Sequence, residues 1–301
     1  LLNAQYYLDT YPDYDLLIIL PAFLVWMLPA GPVRSLLIDI PLKESYRWII
    51  SLDQKLKETV FPSYKEILLS PGYSHPHPRQ VDLKRFIPGI EPLSYAALVH
   101  ASSPDTSIRV TYITREDRLW IRSERLSRLF LKYGSTPIVR LLKGLMILYQ
   151  NKKIEQLYRR LKQRFPNLIF TVAGLAKIGT FSQGIVDERK TKLTPEEEQD
   201  WCRLYAQSHL IIGIHGSNML LPSAFAGMTL NLLPYFKFGN FLQDVLVQEP
   251  DTRLALYRYR HLPIDTSIST IAKTAISQLV GFKKFYTNMI VNTHLEKDEE
   301  K

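Results

Sequence analysis

Apolar residues in this chain come in short runs punctuated by Pro, Gly and charged clusters, a rhythm of strands alternating with helices. In the first hundred residues three such runs, 16–20, 35–40 and 66–69, each end near Pro or Gly, and residues 44–59 between the last two read as a helix. That alternation predicts an α/β layer with parallel strands. Residues 70–91, rich in Pro, Gly and His, read as a long loop of the kind that carries function. The polar stretch ASSPDTS, 101–107, is the linker candidate.

A more regular alternation follows. The β-branched run 108–113 predicts a strand, 119–131 a helix, and 153–164 an amphipathic helix with Ile154, Leu157, Tyr158 and Leu161 on one stripe. Residues 168–173 predict the next strand. Thr194, Pro195 and Glu196 form a helix start, with a capping hydroxyl, Pro at the first position and acids in the first turn. Residues 210–214 are wholly apolar, so that strand is expected to be central and covered on both faces. A small-residue helix over 217–226 ends at Gly227; further strands are expected at 230–233 and 254–259, and a last helix from 266–267 to 289, with a frayed, charged end. The expected architecture is α/β, two Rossmann-like domains with parallel sheets facing a cleft, divided as 1–105, the first with a start that reads as cut short, and 106–301.

Composition narrows the function classes. At 301 residues with 46% hydrophobic and 22% charged residues, the chain is a folded protein large enough for two cores. Its one cysteine, Cys202, excludes a disulfide framework and a thiolate cluster, and a reducing, cytoplasmic setting is the simplest expectation. The most apolar stretch, 16–30, is broken by Pro21 and Pro29 and falls short of the roughly 20 residues of a membrane span. A net charge of +9 suits nucleic acid, an anionic membrane face or a small polyanion such as a nucleotide sugar. The basic face of 149–165 is either a solvated helix or a rest on an anionic membrane.

Candidate chemistry concentrates at Gly213-Ile-His215-Gly216-Ser217-Asn218. A buried strand delivers the chain to a turn with two glycines, and a helix opens directly afterwards. Without Cβ atoms, Gly213 and Gly216 allow a ligand close to the backbone, and the first N–H groups of a helix suit a phosphate. Ser217 or Asn218 can cap the helix or turn to the ligand. The competing reading is an ordinary capped turn with a core His215.

The stretch LIIGIHGSNMLLPSAFAG resembles the donor-site motif of glycosyltransferase family 61, a hydrophobic strand ending in G-x-H-G-(A/S) before a small-residue helix; Asn218 stands where that family usually has a glycine. Residues 112–118, YITREDR, with Glu124 beyond them, are similar to that family's strand ending in S/T-R with a following acid. The resemblance covers about 108–234. It implies the GT-B fold, with donor binding in the C-terminal domain and the acceptor on the N-terminal one. It implies a metal-independent transfer of sugar from a nucleotide sugar, a substrate rather than a cofactor, to a glycan or lipid-linked hydroxyl. Nucleic acid is not an expected partner.

On that reading Arg115, just past the first strand of the domain, grips the diphosphate through its two-pronged guanidinium, with Arg118 assisting or facing solvent. Glu124 positions the ribose or pairs with an arginine, and Lys177 approaches base or phosphate from the glycine-punctuated loop after 168–173. A direct displacement needs a base, for which Asp39 is the first choice and His75 and His77 the second. Asp13 and Asp15 have the spacing of a D-x-D metal motif but precede a strand, so no metal site is expected. The alternatives are a nucleotide-sugar epimerase or hydrolase on the same fold and a basic nucleic-acid-binding protein.

Overall fold

The computed structural model describes all residues except 40–44, 69–80, 102, 104–105, 122, 124, 127–129, 131–135, 177 and 300–301; the side chains of 45–46 and 290–299 are also left aside. The chain divides into two compact units, Leu1–Gly89 and Ile90–Lys301. The break lies before the expected linker, because Leu98 and Ala101 are buried in the core of the second unit. Among the described residues no helix is long and apolar enough to cross a membrane.

In the first unit, β1 (Leu16–Pro21) and β2 (Val33–Ile38) pair in parallel, from Leu16 against Val33 to Pro21 against Ile38. Helix α1 (Ala4–Thr10) precedes them, and α2 (Ser45–Thr59) and the short α3 (Leu83–Phe86) follow. The strand expected at 66–69 is not formed over its described part: residues 66–68 are irregular, with Ile67 and Leu68 exposed. Two apolar side chains that bury on neither face of a sheet have nothing to hold them in one.

The second unit carries a six-stranded, wholly parallel sheet. Helix α4 (Tyr95–His100) precedes β3 (Arg109–Ile113), and α5 (Pro137–Arg164) leads to β4 (Ile169–Leu175) and β5 (Ile185–Lys190). Then come α6 (Pro195–Ala206), β6 (Leu210–Ile214), α7 (Leu220–Phe225), β7 (Thr229–Leu233), α8 (Thr252–Arg258), β8 (Tyr259–Pro263) and α9 (Ile268–Glu299). The strand order is β5-β4-β3-β6-β7-β8. The chain thus winds outward from β3 in one direction, returns to lay β6 against β3, and winds out the other way, as in doubly wound sheets. Strand β6 is buried at every residue, as its unbroken apolar run requires. Ile154, Leu157 and Leu161 of α5 and Ala275, Leu279 and Phe282 of α9 join β3, β4, β6 and β7 in one core.

Local chemistry explains the boundaries. Thr194 accepts from Glu197 N at 3.2 Å while the Glu197 carboxylate accepts from Thr194 N at 3.0 Å, a reciprocal cap on α6. The run 254–259 is helical rather than a strand, because Asp251 accepts from the backbone of Arg253 and Leu254 and nucleates α8. The strand begins only at Tyr259. At the other edge β5, reading IVDERK, shields the sheet with charge. Its Arg189 is fully buried: it donates to the carbonyls of Ile178 and Gly179 and to Asp187, and its guanidinium lies 4.4 Å from the Phe181 ring centroid. The glycine-punctuated segment between β4 and β5 is therefore tied to the sheet at Ile178 and Gly179.

Candidate functional site

Strands β3 and β6 are neighbours running in the same direction, so Thr114–Arg118 and His215–Asn218 emerge side by side at their carboxyl ends. This is the point where the winding of the sheet reverses, and a crevice opens there in doubly wound sheets. The loop after β3 is firmly placed. Gln150 of α5 donates to Thr114 Oγ1 at 3.0 Å and to Arg115 O at 3.2 Å, and accepts from Trp120 N at 2.7 Å. Thr114 N donates to Ala173 O, and a Cβ on Gly174 would lie 2.2 Å from Thr114 O. Gly174 is thus required by the close approach of β4 to the loop.

Two guanidinium groups converge on the turn after β6. Arg115 Nη1 donates to Asn218 Oδ1 at 2.5 Å, while its Nε donates to Asp117 at 2.7 Å. Arg118 Nη1 donates to His215 O at 2.5 Å, and its guanidinium lies 5.9 Å from the Phe236 ring centroid. A Cβ on Gly216 would sit 2.1 Å from Arg118 Nη1 and 2.7 Å from Arg115 Nη1. The glycine therefore makes room for both arginines. Burial, then the charge of Arg115, lowers the pKa of Arg118, with Asp117 and Asp244 opposing. Asp117 already offsets part of this charge: against burial, Arg115 and then Arg118 hold its carboxyl below the usual range.

His215 lies beneath this turn, fully buried, with Nε2 3.6 Å from Asp244 Oδ2, and Lys237 Nζ is 3.5 Å from the same carboxylate. Burial lowers its pKa against the pull of Asp244. The rings of His215 and His261 are 5.8 Å apart, and burial, reinforced by His215, pushes His261 down to about 4. Asn231, paired in register with both Gly213 and His261, is fully buried with neither amide atom hydrogen-bonded. Sequence reading missed Asn231, Lys237, Asp244 and His261. Asn231 and His261 stand in the middle of β7 and β8, while Lys237 and Asp244 follow β7; a lone Asn inside the apolar run of β7 was the available signal.

Three expectations at this motif change. Gly213 does not open the backbone to a ligand: a Cβ there would meet Met219 Sδ at 2.6 Å and Ile113 Cβ at 3.0 Å, so packing inside the core demands the glycine. The helix expected over 217–226 is a 3-10 turn, Ser217–Met219, followed by the six-residue α7. Bulky Met219 is buried at this break, so an anion held at the turn would rest on side chains more than on a helix dipole. Ser217 is exposed and makes no cap; Asn218 serves instead as acceptor for Arg115. The structure thus brings together Arg115, Arg118, His215, Gly216 and Asn218. Glu124, Lys177, His75 and His77 lie outside the described residues, and Asp39 is an exposed residue following β2 in the first unit. Asp15 pairs with Arg34 at 2.8 Å. Cys202 is buried and its thiol is pushed up to about 12, chiefly by burial, which leaves it inert at neutral pH.

A pH dependence follows from the buried histidines. His209 accepts from Arg109 N through Nδ1 at 3.1 Å, and burial, then Arg109, pushes it down to about 4, as happens to His261. Unfolded, both titrate near pH 6.5, so between the two values the unfolded chain binds more protons and stability falls as pH is lowered. Each histidine should remove about 1 kcal/mol between pH 6 and 5. Chemical denaturation across that range checks it; a stability that is flat, or that His209→Gln leaves with the same slope, refutes the assignment.

Comparison of the chain with protein-family models, with curated proteins and with solved structures finds no match.

Proposed function

We propose that the chain is a glycosyltransferase of GT-B type, similar to family 61, which holds the diphosphate of a nucleotide sugar at Arg115, Arg118 and the Gly216–Asn218 turn. The observation that carries this reading is the convergence of two guanidinium groups on Gly216, at the carboxyl ends of β3 and β6. Arg115 Nη1 and Arg118 Nη1 bond only to neutral acceptors, Asn218 and the His215 carbonyl, while Asp117 holds the rest of the Arg115 guanidinium; phosphate oxygens would replace the neutral acceptors with stronger charge-assisted hydrogen bonds. In transfer, the bond from the sugar's anomeric carbon to the diphosphate oxygen breaks as one from the acceptor oxygen forms. The electron pair leaves on the diphosphate, where Arg115, Arg118 and Lys237 offset the added charge. The hydroxyl proton passes to a base, with Asp39 and His75 as candidates.

A thermal-shift screen with UDP, GDP, CMP and ADP tests the reading. One of them should stabilise the protein in proportion to its occupancy. Arg115→Ala should weaken that ligand by about 1.5–3 kcal/mol, the range for a hydrogen bond to a charged group, with the circular dichroism spectrum unchanged. If no nucleotide shifts the midpoint, or Arg115→Ala binds as the parent does, the site is not a diphosphate site. Loss of affinity for oligonucleotides instead would move the protein to the nucleic-acid-binding class.

A further inference from the structure

Helix α5 is 28 residues long, and its two halves have different surroundings. Its Gln150 and Asn151 bond to Thr114, to the Arg115 carbonyl and to the Ile178 carbonyl, at the carboxyl ends of β3 and β4. Ile154, Leu157 and Leu161, further on, pack beneath the sheet. Residues 137–149 therefore run about 20 Å past the edge of the sheet, on the side where Arg115 and Arg118 lie. One face of this arm is supported by Leu119, Ile121 and Phe130, packed on Ile147.

The opposite face is apolar and uncovered. Ile138, Leu141, Leu142, Leu145, Leu148 and Tyr149 repeat at helical spacing and are all exposed, Ile138 by 82% and Leu141 by 70%. Such a continuous stripe on a helix surface marks a partner. Arg140, Lys143 and Lys152 accompany it, and no acidic residue occurs from Pro137 to Ile154. A second apolar and basic element rises from the same edge: the turn after β7 exposes Phe238, Phe241 and Leu242 around Lys237.

We infer that this edge of the second unit docks on an anionic lipid surface, the α5 arm lying in the interface with its apolar stripe among the acyl chains. Along the arm, uncovered leucines and a tyrosine with only cations among them are the features of an interfacial helix, and its acid-free sequence fits a negatively charged surface. This face precedes the basic face of 149–165 along the same helix, where the apolar stripe is buried in the core. The assignment stands on the exposed faces alone, whatever ligand occupies the arginine turn.

The test is flotation of the intact chain with phosphatidylcholine vesicles, with and without added phosphatidylserine. Binding should require phosphatidylserine, fall with added salt, and weaken about tenfold or more in Leu141→Gln/Leu145→Gln. Both side chains are exposed, so the variant should keep the parent's thermal midpoint and its response to nucleoside diphosphate. A failed nucleotide screen alongside intact vesicle binding would remove the transferase reading and leave this one standing. Absence of binding to anionic vesicles at low salt overturns the inference, as does a double variant that floats like the parent. So does sedimentation showing that the stripe instead joins two copies of the chain, with assembly lost in the double variant.

Discussion

Gly216→Val is expected to abolish nucleoside diphosphate binding and also to lower the unliganded midpoint, because Gly216 stands at φ +158°. The added Cβ would fall 2.1 Å from Arg118 Nη1 and 2.7 Å from Arg115 Nη1. Both obstacles are the far ends of flexible side chains that can swing away from the turn, but the backbone conformation at Gly216 is one that side chains rarely adopt, so the substitution also costs about 1–3 kcal/mol of backbone strain. The fold then loses the Arg118 bond to the His215 carbonyl and the Arg115 bond to Asn218, both at a partly exposed rim. A bound diphosphate would lose two charge-assisted contacts at once, each about 1.5–3 kcal/mol, for a combined loss of a hundredfold or more. Gly213→Ala is the contrasting case. Its Cβ would press on Met219 Sδ and Ile113 Cβ inside the core, and overpacking of that kind costs about 1–3 kcal/mol of stability. Calorimetric titration and thermal melts of both variants separate the two roles; tight diphosphate binding by Gly216→Val would remove the arginine turn from function.

The placement of that turn was legible because two independent signals agree. A fully apolar run, LIIGI, can only be a central strand, and a strand ending in Thr-Arg beside it puts Arg115 at the same edge. The reciprocal cap at Thr194 and Glu197 was readable for a similar reason, since its whole geometry lies within four residues. What escaped depends on partners distant in sequence. Strand β5 reads IVDERK and lacks an apolar face, because its structural residue is Arg189, satisfied by carbonyls of the preceding loop. The helical start at Asp251 overrode the strand propensity of the leucines and tyrosine that follow it. Asn231 and His261 face each other only through the register of β7 and β8. The apolar stripe of 138–149 has the period of a core helix, and nothing in a single sequence says that the sheet ends before it.

Arg258→Ala should be among the most destabilising single changes in the second unit, at about 3–5 kcal/mol. The guanidinium is 6% exposed and pairs at 2.9 Å with Glu249, itself 2% exposed. Arg258 Nε donates to Gly227 O at 2.7 Å, and its two Nη atoms reach the carbonyls of Gln248 and Ala226 at 3.4 Å. One side chain thereby joins the entry to β7, the segment before α8 and the start of β8. Tyr95 of α4 donates to the same Glu249 carboxylate, which ties the first helix of the unit into the network. Truncation at 258 leaves Glu249 as a buried carboxylate with a tyrosine hydroxyl in place of a full countercharge, and strands three carbonyls away from water. The cost therefore lies more in what is left unpaired than in the attraction that is lost. Replacing both partners with apolar residues of similar volume, Arg258→Met with Glu249→Leu, should recover a large part of the loss, because no buried charge then remains. Urea denaturation of the two single variants and the double variant gives the coupling directly. A loss below about 1 kcal/mol in Arg258→Ala, or a double variant less stable than either single one, would show that this network does not hold α4 and the β7–β8 edge in place.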